Sequence, residues 1–67
     1  MHVLLYKQKS GQLELQEGYN ILEFKISSSS VSVLTENGSK KRLAYGTSKT
    51  VMIYDGHNSP IIVLGSH

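Results

Sequence analysis

Cysteine is absent from this 67-residue sequence, and so is tryptophan. The first absence removes disulfides and most structural zinc chemistry, the usual staples of folds this small. No apolar run approaches the roughly 20 residues that a bilayer-spanning helix needs. Met1 leads into His2 and Val3 without the basic segment and long apolar stretch of a secretory signal. The expectation is a soluble chain with no membrane attachment, cytoplasmic by default. Charge of either sign is sparse: seven Lys and Arg against five Asp and Glu give a net charge of +2 and a pI near 9.1. A surplus that small is common in proteins that touch no polyanion. One Pro with six Gly fits short turns better than disorder.

The length allows a single domain, residues 1–67. A domain of this size buries only about 60% of the surface its unfolded chain exposes, so its own core is marginal. With disulfides and structural metal excluded, association with copies of itself is the remaining source of buried surface. The four serines at 27 to 30 are too short a run to link two domains.

No window carries the i, i+3, i+4 apolar spacing of an amphipathic helix, whereas period-two alternation recurs throughout. The spacing predicts an all-β fold: a small antiparallel barrel or sandwich of about five to seven short strands joined by hairpins. Strands are predicted at 2–9 (HVLLYKQK), 12–16 (QLELQ), 20–27 (NILEFKIS) and 31–35 (VSVLT). Ser10-Gly11 and Glu17-Gly18 are read as breaks. In NILEFKIS, Leu22, Phe24 and Ile26 share one face, with Glu23 and Lys25 on the other. KTVMIYD (49–55) and IIVLG (61–65) follow beyond Gly46.

The stretch ENGSKKRLAYGTSK, residues 36–49, holds four of the seven bases. If Glu36-Asn37-Gly38 is a three-residue loop with Gly38 in the left-handed region, Thr35 faces Ser39, Val33 faces Lys41 and Val31 faces Leu43. That register gathers Val31, Val33, Leu43 and Tyr45 on one face and Lys40 and Arg42 on the other, beside Ser32. A two-residue Asn37-Gly38 loop places Val33 opposite Arg42 and mixes the faces, so the longer loop is preferred.

Ile61 to Leu64 are four consecutive apolar residues, and the first strand opens with Val3, Leu4 and Leu5. Such strands need both faces covered. Val3, Leu4, Leu5, Ile61, Ile62, Val63 and Leu64 are therefore candidates for a subunit interface, or for strand exchange between protomers. The alternative is a closed barrel or tight sandwich in which these strands are central.

Convergent catalytic groups are scarce. Asp55 and His57 share a loop, yet no nucleophile is tied to them, and Asp-Gly is first of all turn chemistry. No catalytic residue is assigned, and no enzyme activity is expected. His2, His57 and His67 lack ligand spacing, so no metal is expected, and isolated glycines make no phosphate loop, so no cofactor is either. His67 ends a Gly-Ser-His run of the kind left by cloning.

What remains is a binding surface. Lys40, Lys41, Arg42 and Lys49 offer charge for phosphates, and Tyr45 offers a ring for a base, with Tyr54 a second choice. The plainer role of such lysines is to keep an edge strand from aggregating, and Tyr45 falls on the apolar face. In a homo-oligomer a few charges per protomer become a continuous belt. The run Leu15 to Gly46, with EGYNILEF, SSVSVL, a glycine turn and LAYG, resembles part of the trp RNA-binding attenuation protein family, ring-forming all-β RNA binders. It requires a two-residue insertion near Asn37, leaves 1–14 and 47–67 outside, and no ligand contact is carried over. The expectation is a non-enzymatic, self-associating β protein that binds single-stranded nucleic acid, with RNA the first choice. The rival is a structural or interaction module, a virion or other assembly component or a protein inhibitor, that docks on a protein partner through strand addition by its apolar terminal strands.

Overall fold

The computed structural model describes residues 1–56 and 59–65. His57, paired with Asp55 in the sequence reading, lies outside them, as do Ser66 and His67 of the terminal run. Six antiparallel strands form one curled sheet, a half-barrel: β1 (His2–Lys9), β2 (Gln12–Ile26), β3 (Ser30–Thr35), β4 (Lys40–Ala44), β5 (Lys49–Tyr54) and β6 (Ile62–Leu64). The strand order is β4-β3-β2-β1-β5-β6, and no helix occurs among the described residues. The all-β expectation holds, in its barrel-like form. The curl brings β4 toward β5, where the Gly46 amide donates to the Lys49 carbonyl at 3.0 Å.

The concave side holds the core. Val3 and Leu5 of β1, Ile21 of β2, Val31 and Val33 of β3, Leu43 of β4, and Val51 and Ile53 of β5 are buried together. Tyr19, Phe24, Tyr45, Ile62 and Leu64 pack around them. Thr50, Thr35 and Ser30 are the buried polar residues among those described, and the eight buried hydrophobic chains are all Val, Leu or Ile, which suits a pleated, tightly curved surface. Truncating a buried residue of this kind to Ala costs about 2–5 kcal/mol, a large part of a small domain's stability.

The β3–β4 hairpin adopts the three-residue loop. Val31 pairs with Leu43, Ser32 with Arg42, Val33 with Lys41 and Leu34 with Lys40. The Thr35 amide donates to the Ser39 carbonyl at 2.8 Å, and Gly38 sits at φ +90°, where a side chain would be strained. The Asn37 side chain receives the Ser39 amide at 3.1 Å and the Thr35 hydroxyl, which fixes the loop.

Two expectations are corrected. Glu17-Gly18 does not break a strand: β2 runs unbroken for 15 residues. The extra residue Gln16 is absorbed as a bulge between the Leu5–Glu17 and Tyr6–Leu15 pairs. Gly18 is needed for a different reason, since a Cβ there would lie 2.9 Å from Leu4 Cδ2, which rests over it. A second bulge, at Leu22, reverses the expected facing: Ile21 is 1% exposed and Leu22 57%. Beyond it Phe24 again points inward and Glu23 and Lys25 outward.

The terminal strands take different places. β1 lies at the sheet's centre, hydrogen-bonded to β2 on one side and β5 on the other, and β6 is an edge. Val3 and Leu5 are enclosed in the chain's own core. Ile62 and Leu64 pack against that core, while Ile61 and Val63 stand about half exposed.

Candidate binding surfaces on the outer face

Because side chains alternate across the sheet, the register assigns every strand residue to the core side or the outer side. On the outer side of β2, β3 and β4 two cross-strand rows run: Lys25, Ser32, Arg42, and beside it Glu23, Leu34, Lys40. Three cations and one carboxylate thus share one patch. Arg42 and Lys40 are next-but-one neighbours, about 7 Å apart along the strand, and Lys25 lies two strands over, about 10 Å away. A shallow depression at Glu23, Lys25, Ser32, Leu34 and Lys40 follows these rows.

The predicted basic cluster is therefore only partly assembled. Lys40 and Arg42 stay together, and Lys25, which the sequence reading passed over, joins them. Lys41 faces the concave side, its Nζ 5.7 Å from the centroid of the Tyr19 ring. That ring is anchored in turn: its hydroxyl donates to Glu17 Oε1 at 2.5 Å, a bond that raises the Tyr19 pKa above its ordinary value. Lys49 lies in a separate row on the concave side, opposite Lys7, which is opposite Glu14 on its other flank. Two lysines face to face repel, and Glu14 offsets part of that. Tyr45 packs against the core and donates its hydroxyl to the Ser27 carbonyl at 2.5 Å, so its ring is no platform for a base.

The outer side of β1, β5 and β6, with the first half of β2, is built differently. Leu4 pairs with Met52, His2 with Tyr54, Tyr6 with Thr50 and with Leu15, and Met52 with Val63. The His2 and Tyr54 rings stack at 4.6 Å between centroids and 4° between planes. The Tyr54 hydroxyl lies 3.6 Å from Met52 Sδ. Burial, and then the neighbouring Tyr54 hydroxyl, raise the Tyr6 pKa. Leu15 is 55% exposed and Val63 48%. Among the described residues no Asp, Glu, Lys or Arg stands on this part of the outer face. Tyr54, a candidate stacking ring, belongs here, away from the basic rows.

Nothing described forms a metal centre: no group of three or more His, Cys, Asp or Glu comes together among the described residues. No helix of the described residues is long and apolar enough to cross a membrane. Compared with known proteins, the chain matches no family model, no curated protein and no solved structure.

Proposed function

We propose that this chain is a non-catalytic β module that binds single-stranded nucleic acid, RNA first, along the outer face of β2, β3 and β4. One observation supports the reading: the β2–β3–β4 register sets Lys25, Arg42 and Lys40 on a rigid strip at spacings of about 7–10 Å. A flexible single strand can bring successive phosphates to such cations, and rigid strands leave little backbone ordering to be lost on binding. With no aromatic ring among the cations, affinity rests on phosphate contacts alone and is weak per protomer, in the range of about 10⁻⁴–10⁻⁶ M typical of nonspecific binding.

The test is fluorescence anisotropy of a labelled single-stranded oligonucleotide, RNA or DNA, with a duplex control, titrated at several salt concentrations. Three phosphate contacts give a log–log salt slope of about −2 on a single strand. Replacing Lys40 and Arg42 together by Ala reduces that slope to about −0.7, whereas Lys41→Ala, on the concave side, leaves it unchanged. An unaltered slope in the double variant, or no binding at low salt, rejects the proposal.

A second reading is favoured by the two sheet edges. β4 carries Lys40, Lys41 and Arg42, charges that discourage a further strand, whereas β6 carries none. An extended segment of a protein partner can pair with β6, with Ile61 and Val63 as its side-chain contacts. Val63→Lys abolishes such pairing and leaves the nucleic-acid salt slope intact. A partner that still binds the Val63→Lys variant rules it out.

A further inference from the structure

The curled sheet has one apolar face that it encloses and a second that it covers only in part: Leu4, Tyr6, Met52 and Tyr54 are half-buried around the buried Thr50, and Leu15 and Val63 beside them are about half exposed. We infer that the uncharged part of the outer face, centred on Leu4, Tyr6, Met52 and Tyr54, packs against the same surface of a second copy, so that two half-barrels stack sheet on sheet. The inference stands independently of the nucleic-acid reading, because it concerns another part of the surface.

Three observations support it. The first is order within the free chain. Leu4 lies over Gly18, Tyr54 is held between the His2 ring and Met52, and Tyr6 is half-buried beside Tyr54. A patch already fixed in place loses little side-chain freedom on docking. Aromatic rings and Met are also the residues that interface centres favour.

The second is charge, which selects the occupant. In a two-fold contact each residue meets itself or a near neighbour, so like charges on the surface oppose it. Stacking on the β2–β3–β4 strip would bring three cations and one carboxylate of each copy together. The β1–β5–β6 region carries no such charge among the described residues. It is the part of the outer face where a copy can approach without repulsion. The basic strips, kept to the flanks, hold the packing to this region.

The third is area. About seven residues each of β1 and the first half of β2, the six of β5 and the three of β6, at about 3.3 Å per residue and about 4.8 Å per strand, give a footprint on the order of 350 Å² per copy. Two such footprints total about 700 Å², short of the roughly 1,200 Å² at which stable interfaces begin, so the association is weak and reversible. The core side offers only eight enclosed aliphatic chains. A cysteine-free domain of this length gains from the extra burial.

The experiment uses the whole chain without nucleic acid. Sedimentation equilibrium from about 1 to 500 μM is expected to show a reversible monomer–dimer equilibrium with Kd in the micromolar range. Met52→Lys is expected to weaken dimerisation at least tenfold, with an unchanged circular dichroism spectrum. In case that variant unfolds, cysteine scanning decides, because the parent chain contains no thiol. Single Cys at 4, 6, 52 or 63, mildly oxidised, is expected to give a disulfide-linked dimer for at least one position, and Ser32→Cys, on the charged strip, none. A monomer at every concentration overturns the inference. So does cross-linking at 32 in place of the other four, or a folded Met52→Lys variant that dimerises as the parent does. Loss of nucleic-acid binding in a chain that still dimerises rejects the proposed function alone.

Discussion

The two halves of the outer face share one sheet, one curvature and one alternation, and differ in a single respect. On β3 and β4 the outward positions hold Ser32, Leu34, Lys40 and Arg42; on β1 and β5 they hold His2, Leu4, Tyr6, Thr50, Met52 and Tyr54. Both halves are backed by the same aliphatic core, so the difference is not required to hold the sheet together. A sheet with one covered face normally alternates apolar with polar along every strand. The β3–β4 half follows that pattern apart from Leu34, whereas in the β1–β5 half Leu4, Tyr6, Met52 and Tyr54 stand outward against Val3, Leu5, Val51 and Ile53 inward, with the charges of Lys7 and Lys49 confined to the concave side. The departure from the rule therefore marks where more than folding is asked of the chain.

The most severe way to break the contrast is to move the register. Deleting Ser39 keeps the Glu36-Asn37-Gly38 loop but advances β4 by one place, which turns Leu43 and Lys41 outward and Arg42 and Lys40 inward. The expected loss exceeds about 3 kcal/mol, since an aliphatic core residue is exposed and cations are forced toward the core. Thermal unfolding by circular dichroism checks it. That the register was legible from residues 31–45 alone follows from its locality: the loop chemistry of Asn37 and Gly38 and the alternation of β3 and β4 all lie within one hairpin.

A milder pair of substitutions compares the halves directly. Leu4→Glu places a carboxylate in the uncharged half and is expected to cost about 2 kcal/mol. Leu34→Glu, which stands between Lys40 and Glu23 and so gains one attraction and one repulsion, is expected to cost less than about 1 kcal/mol. Urea denaturation midpoints decide. Equal costs would mean that the uncharged half is no drier than the other.

Long-range features were not legible in the same way. Gly18 reads as punctuation until Leu4 of the next strand is seen lying on it, and the bulges at Gln16 and Leu22 leave no mark in composition. The central position of β1 depends on β5, from the far end of the chain. Lys25 was missed for that reason too: it joins Arg42 only through β3, with Ser32 between them. Its one sequence signal was its place on the Glu23 side of NILEFKIS. Lys41 and Lys49 join Lys40 in the sequence grouping only by nearness along the chain, although the predicted register already sets Lys41 opposite Val33, on the core side.

Lys25 supplies the next test. Lys25→Ala should leave stability within about 0.5 kcal/mol, as for most exposed sites. In the anisotropy titration it should lessen the salt slope by about 0.7, the effect of one phosphate contact. No change would confine the strip to β4.

The smallest effect is alkaline. The Tyr6 pKa is raised by burial, and that of Tyr19 by its bond to Glu17. The folded state thus keeps protons that the unfolded chain gives up near pH 10. Stability from this source is whole below that pH and falls as pH rises through the folded values. Tyr6→Phe should make unfolding midpoints between pH 9 and about 11 less steep in pH. An identical pH dependence in the variant would assign the effect to Tyr19 alone.

The central place of β1 also sets the order of events as the chain is made. β1 emerges first and can pair at once with β2, but its other edge stays open until β5 has been synthesised. Closing that gap joins residues from nearly opposite ends of the chain, a slow step for a domain this small. Until then β1 offers an unpaired edge that the β5 of a neighbouring chain fits as well as its own does. Strand exchange between nascent chains is the misfolding route this topology favours, and dilution during refolding the remedy.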